Sequence, residues 1–329
     1  KRDCAVNKEF VMKIAVIPSN NGLGHIKRCS IIANELSKKN KVHFYSPQSK
    51  TKKFKFNKKI KLINFNTKIN FNSKYFKNNK AWINKFLKNN YYDIYFSDNL
   101  PELAYLKKNF FLYANFFWHH LFKKKNPNKS KEIDNLIVNK KVTVFSDKLF
   151  VSKEILKKFN PVLIDIVGSK LKKKKIKKKG ILFSFGTSNY IEKKNILKFL
   201  IKERKNLKKN FSKVYVDKMF YDKMKDLSLA DYKNNMFHNI DCAIVKPGLG
   251  IVTDCIKRNI KIITYVKNQN EEFKNNSLVL NKVFKSHRSK SLAHAIKHAI
   301  KNKNTNERNK KIKFNGEKKI AKLILGNYN

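Results

Sequence analysis

Chemistry in this chain is concentrated in a few glycine-bearing turns. The first is Gly22-Leu-Gly24-His25-Ile-Lys-Arg28. Glycines let a ligand approach the backbone closely, and a helix opening behind them offers unbonded N–H groups to an anion. An imidazole at such a helix start, His25, is well placed to act as a general base. The second is Lys246-Pro-Gly248-Leu-Gly250-Ile-Val-Thr253-Asp254, whose amides suit a diphosphate. The third, Phe185-Gly186-Thr187-Ser188, ends in small donors. A polar and acidic group, Gln269-Asn270-Glu271-Glu272, opens a later helix. Taken singly, each has a plain alternative: an ordinary strand-to-helix turn, or carboxylates that merely cap a helix.

Other nucleotide signatures fail on their residues. Lys27 stands where the third glycine of G-x-G-x-x-G belongs, and the second strand runs into Tyr45-Ser46-Pro47 instead of an acid that would hold a ribose. The chain contains no Gly-Lys-Ser/Thr loop. His294 and His298 are one helical turn apart, yet no third metal ligand is evident from the sequence. Trp118-His119-His120 follows a strand and would line the acceptor side of a site or close a core edge.

The elements needed to position these turns are legible as α/β. Residues 12–17 read as a buried strand, and Ile26, Cys29, Ile32, Ala33 and Leu36 recur at helical spacing over 25–38. A strand at 42–45 completes a βαβ unit. Strands follow at 61–65, 92–97, 110–117, 142–146 and 163–167, with a helical stretch at 76–89. Residues 169–180 are so lysine-rich that they read as a solvated linker. The pattern then restarts with strands at 181–185, 213–216, 240–245 and 260–265, and helices at 191–208, 251–258, 271–282 and 289–302. The expectation is two Rossmann-like domains, 1–168 and 181–329, whose parallel sheets face across a cleft. Open parallel sheets bind ligands beyond the carboxyl ends of their strands.

Composition narrows the class further. With 329 residues, 41% hydrophobic and 12% aromatic, there is material for two cores. Four cysteines without a C-x-x-C pair argue against a disulfide scaffold or a cysteine-rich zinc module and suggest reduced thiols in the cytoplasm. The longest apolar stretch, 110–122, is interrupted and shorter than the roughly 20 residues that span a bilayer. Met12 has the look of a natural start, with no signal peptide behind it. The net charge of +53 suggests a nucleic-acid partner, but only six of the 76 basic residues are arginine. Lysine with abundant Asn, Ile and Phe is the signature of A- and T-rich codons, so no specific nucleic acid is expected. A basic surface would still favour anionic substrates and peripheral contact with the inner face of a membrane.

Together the four motifs resemble the GT-B nucleotide-sugar glycosyltransferases, especially family 28, which includes the N-acetylglucosaminyltransferase that makes lipid II. The likeness runs over nearly the whole chain from Met12. Gly22-x-Gly24-His25-x-x-Arg28 is similar to the N-terminal glycine loop of that group, and 183–188 to its first C-domain strand and loop. Lys246-Pro-Gly248-x-Gly250 with Thr253 and Asp254 is similar to the donor-binding turn, and Ser97-Asp98 with 114–118 to an N-domain segment of related transferases. The resemblance implies a UDP-type nucleotide sugar held by Gly186, Thr187, Ser188, Lys246, Gly248, Gly250, Thr253, Asp254, Glu271 and Glu272. It implies an acceptor or phosphate near Gly22, Gly24, Arg28 and Asp98, with His25 as catalytic base. Inverting transfer to an acceptor hydroxyl would follow, with no cofactor and no metal; the chain has no Asp-x-Asp pair. Asp254 stands where glutamate is usual, which bears on the donor sugar. The stretch 22–29 also resembles nucleotide-sugar hydrolases, in which His25 would activate water. A basic nucleic-acid-binding protein is the alternative from another class.

Overall fold

A computed structural model describes residues 11–20, 22–65, 83, 86, 91–105, 109–121, 123–124, 126–168, 180–186, 193–267, 271–302 and 312–326. The linker at 169–179, Thr187, Ser188, Gln269, Asn270 and most of the helix expected at 76–89 lie outside them. The chain forms two units: 1–147 with 153–167 and 316–329, and 148–152 with 168–315.

The first unit is built on seven strands: β1 (Lys13–Pro18), β2 (Lys41–Tyr45), β3 (Ile60–Ile63), β4 (Ile94–Asp98), β5 (Phe110–Tyr113), β6 (Thr143–Asp147) and β7 (Val162–Ile164). They pair in the order β3-β2-β1-β4-β5-β6-β7, every pair parallel. The helix Leu23–Leu36 buries Ile26, Cys29, Ile32, Ala33 and Leu36 against the sheet, the face that the 3.6-residue spacing indicates.

The second unit repeats the plan with β8 (Gly180–Ser184), β9 (Lys213–Val216), β10 (Ser228–Leu229), β11 (Ile240–Val245), β12 (Lys261–Tyr265) and β13 (His287–Ser289). Their order is β10-β9-β8-β11-β12-β13, again all parallel. Counted within each unit, both sheets begin 3-2-1-4-5-6. The order therefore reverses between β1 and β4 and again between β8 and β11, the switch points at which open α/β sheets leave room for a ligand.

Four details differ from the sequence reading. Gly180 is the first residue of β8 instead of the end of the linker, because it pairs with Lys213 and Ile240; a Cβ there would run into the carbonyl of Asn239 and approach that of Lys213 at 3.0 Å. The strand expected at 110–117 stops at Tyr113, and a short helix, Trp118–Leu121, follows. Residues 287–289 form β13, and the next helix starts at Leu292, with Ser291 Oγ accepting from the His294 amide at 3.4 Å. The last helix, Gly316–Gly326, belongs with the first unit, so the second ends at 315 and not 329. Its Ile320, Ala321 and Ile324 join the core around the helix Leu23–Leu36, which outweighs its distance in sequence. No helix among the described residues is long and apolar enough to cross a membrane.

Candidate functional site

The first unit's switch point is occupied by a charged cluster. β1 and β4 are paired so that Pro18 lies opposite Asp98, the last residue of β4. Beyond β1 the chain turns at Gly22 into the helix carrying His25 and Arg28 one turn apart. Both reach Asp98. His25 Nδ1 is 2.9 Å from Oδ1, Arg28 Nε donates to Oδ2 at 2.8 Å, and Arg28 Nη2 lies 2.6 Å from the same oxygen. The Asp98 side chain is 1% exposed and that of Arg28 13%. The guanidinium also lies 4.3 Å over the Tyr113 ring.

Burial alone would raise the Asp98 pKa, but the Arg28 guanidinium and His25 outweigh it and hold the carboxyl below its ordinary range. The same carboxylate keeps the Arg28 guanidinium protonated against the opposing effect of burial. His25 Nδ1 faces both Asp98 Oδ1 at 2.9 Å, which only accepts, and Arg28 Nη2 at 3.4 Å, which only donates; the shorter contact favours the proton on Nδ1, which leaves the Nε2 lone pair for a substrate proton. The tilted Trp118 ring stands beside this imidazole, 6.3 Å between centroids. Asp98 and Arg28 thus differ from the expectation of groups offered to acceptor or phosphate: each is turned inward onto the other. The backbone at Gly22 is uncrowded among the described residues. Its φ of 177° is extended backbone that any residue adopts, and a Cβ there would meet nothing within 4 Å among the described residues. Folding does not require glycine at that position. Immediately after Asp98, Asn99 takes a left-handed φ of 60° and its amide donates to the Tyr113 carbonyl at 2.9 Å.

The second unit's switch point lies between Ser184 and Val245, paired at the ends of β8 and β11. Gly186 has φ +67°, and a Cβ on it would stand 3.4 Å from Lys246 Nζ, so the lysine lies across this turn. The ammonium is 4.8 Å from the Phe273 ring centroid. Burial lowers the Lys246 pKa, opposed by the charges of Glu272 and Asp217. Gly248 caps the helix Leu249–Lys257 and has no side chain to bond its first-turn amides. Asn276 holds the loop before it, Nδ2 donating to the Pro247 carbonyl at 2.9 Å.

Several expected donor ligands face elsewhere. The amides of Phe185 and Gly186 both donate to Asp217 Oδ2, at 2.7 and 3.0 Å, and Tyr232 donates to its Oδ1. Thr253 Oγ1 donates back into its own helix, to the Leu249 carbonyl at 2.8 Å and that of Gly250 at 3.1 Å. Asp254 is buried and faces Arg258 Nη1 at 3.3 Å. Glu271 is exposed near Lys274. Asp217 and Tyr232 belong to no motif, and their only sequence signal is an acid closing a strand. The residues brought together here are Gly186, Lys246, Gly248 and, through its charge, Glu272.

No protein-family model matches this chain, and no curated protein matches it. Solved structures do. The UDP-GlcNAc 2-epimerase of Methanocaldococcus jannaschii is 12% identical over 96% of this chain and 100% of that one, with a TM-score of 0.59. Arabidopsis thaliana UGT89C1 is 11% identical over 96% and 94%, TM-score 0.59. Phytolacca americana UGT2, solved with UDP-2fluoro-glucose and pterostilbene, is 12% identical over 96% and 94%, TM-score 0.57. The fold is GT-B. At such identities the likeness establishes the architecture, in which a GT-B chain carries two parallel sheets of this kind, each with its own switch point.

Proposed function

We propose that this GT-B chain is a metal-independent, inverting glycosyltransferase. It would move a sugar from a nucleoside diphosphate, UDP by preference, to an acceptor hydroxyl. The relation to family 28, the cytoplasmic setting and a peripheral membrane contact through the basic surface are parts of the same proposal. The observation that carries it is the His25–Asp98 pair at the first unit's switch point, with Nε2 of the imidazole left as a base. Asp98 fixes the tautomer and compensates the charge when His25 takes the acceptor's proton. The hydroxyl oxygen then attacks the anomeric carbon from the face opposite the diphosphate, which inverts the configuration. The leaving diphosphate is stabilised by the first-turn amides behind Gly248 and by Lys246, whose partly desolvated ammonium acts more strongly than one in water.

Structures of UDP-linked enzymes with the same architecture support a nucleotide-sugar substrate. A base that can take a proton from a hydroxyl can also take one from water, so hydrolysis is the competing outcome. The test incubates the full chain with UDP-sugars, with and without pooled hydroxyl acceptors, and follows sugar and UDP by NMR. Acceptor-dependent UDP release with an inverted anomeric product is expected. Stoichiometric free sugar at the same rate without acceptor would replace transferase by hydrolase, and no turnover of any nucleotide sugar would remove both.

A further inference from the structure

A second cluster lies next to the His25 site and takes no part in the chemistry above. The short helix Trp118–Leu121 begins with the tryptophan that stands beside His25, and its next two residues are His119 and His120. Their Nε2 atoms approach one oxygen: His119 lies 2.7 Å and His120 2.8 Å from Asp134 Oδ1, on the helix Pro127–Asn139. The three donor atoms lie within 4.8 Å of one another, an arrangement able to hold a metal ion. His119 is buried and the His120 side chain only 9% exposed. Around them stands a supporting layer from the helix Lys153–Phe159. Glu154 Oε2 is 3.2 Å from His120 Nδ1, and Lys158 Nζ is 2.5 Å from Asp134 Oδ2.

We propose that His119 Nε2, His120 Nε2 and Asp134 Oδ1 bind one divalent transition-metal ion of the zinc type, with water in the fourth position, in a site that ties the Trp118–Leu121 helix to Pro127–Asn139. Two imidazoles with one carboxylate oxygen and no thiolate form a borderline donor set that suits Zn²⁺ and is a poor match for Ca²⁺ or Mg²⁺, which take oxygen ligands. Glu154 gives His120 the usual outer partner, a carboxylate accepting its Nδ1–H and so presenting its Nε2 lone pair to the ion, whereas His119 Nδ1 is buried without a hydrogen-bond partner among the described residues. Lys158 engages only the far oxygen of Asp134, which leaves Oδ1 for the metal. Zinc bonds of about 2.0–2.2 Å set tetrahedral donors roughly 3.3 Å apart, so loading opens the present spacing by about half an ångström. Each histidine ligates as a neutral imidazole with its proton on Nδ1, so His119, which burial keeps neutral, shifts its single proton from Nε2 to Nδ1 as the ion takes the Nε2 lone pair. By fixing residues 118–121 it holds Trp118 against His25, but no step of sugar transfer passes through it.

The test is independent of any enzymatic assay. The full-length chain is stripped with a chelator, dialysed, and titrated with Zn²⁺ against a chromogenic competitor. One ion per chain is expected, with Glu154→Gln weakening binding about 10–100-fold. Asp134→Asn and His120→Gln should each abolish stoichiometric binding. His120 lies at the edge of the cluster, so its variant stays informative if Asp134→Asn folds poorly; circular dichroism reports that. His298→Gln, in the stacked histidine group His287–His298 with ring centroids 3.9 Å apart, should change nothing. Absence of a stoichiometric ion, binding that survives both His120→Gln and Asp134→Asn, or binding lost in His298→Gln would each overturn the assignment. In those cases the cluster is held by hydrogen bonds alone.

Discussion

Replacing Asp98 by asparagine separates the two tasks that its carboxylate performs. The substitution keeps the shape and removes the charge, leaving the Arg28 guanidinium, 13% exposed, without its counter-ion. Breaking a buried pair by neutralising one partner costs about 3–5 kcal/mol. With a urea slope of about 2–3 kcal/mol per molar, the midpoint should fall by roughly 1–2.5 M. Both tryptophans, Trp82 and Trp118, lie in the first unit's share of the chain, so their fluorescence reports that unit. The asparagine must aim its oxygen at Arg28, which can only donate, and therefore its NH₂ at His25 Nδ1. The imidazole answers by moving its proton to Nε2, and the base is lost. By analogy with the loss of an orienting carboxylate in a hydrolytic triad, turnover should fall about 10³–10⁴-fold. His25→Ala gives the contrast: a comparable loss of turnover, with a midpoint much closer to that of the parent chain. The pH dependence carries the same sign. A carboxyl held below its ordinary pKa contributes stability that is full above the unfolded value of about 3.9 and is lost as pH falls through the folded value; Asp98→Asn should remove that part of the acid limb. A variant with parental midpoint and parental turnover would refute the reasoning.

Other substitutions probe the frame around the site. Gly22→Ala should leave the melting temperature unchanged, since its Cβ enters open space, while weakening turnover or phosphate binding; a loss of stability alone would show that Gly22 serves the fold. Gly316→Ala drives a Cβ into the Asp165 carbonyl and should destabilise by about 1–3 kcal/mol in urea unfolding, whereas Gly326→Ala, with nothing within 4 Å, should be tolerated. His287 and His298 are held below the ordinary histidine pKa, His287 by burial and the neighbouring imidazoles, and His298 by burial, His294, Lys301 and Lys261. The unfolded chain therefore takes up protons first as pH falls below about 6.5, so stability of the second unit should decline there and level off lower. His298→Gln should flatten that slope in circular-dichroism melts.

The sheet strands and the buried face of the first helix were legible because their signal is local: runs of Ile, Val and Phe bounded by glycine turns, and apolar residues at helical spacing. The very short β10 and β13 were not, since two or three residues carry too little pattern and are strands only by pairing with β9 and β12. The terminal helix Gly316–Gly326 shows its apolar stripe in sequence but not which core it joins. At the site, His25 and Lys246 stood out through the glycines beside them. Asp217 did not, because a lone acid after a strand looks like surface until Phe185 and Gly186 are seen to donate to it. Nor does any spacing reveal that Asp98 and Arg28, 70 residues apart, neutralise each other inside the protein.

The most direct measurement is calorimetric titration of the intact chain with UDP and with a UDP-sugar. The account predicts one site per chain, retained in His25→Ala and lost or strongly weakened in Lys246→Met with the fold intact by circular dichroism. Absence of binding, or binding indifferent to Lys246→Met, would contradict it.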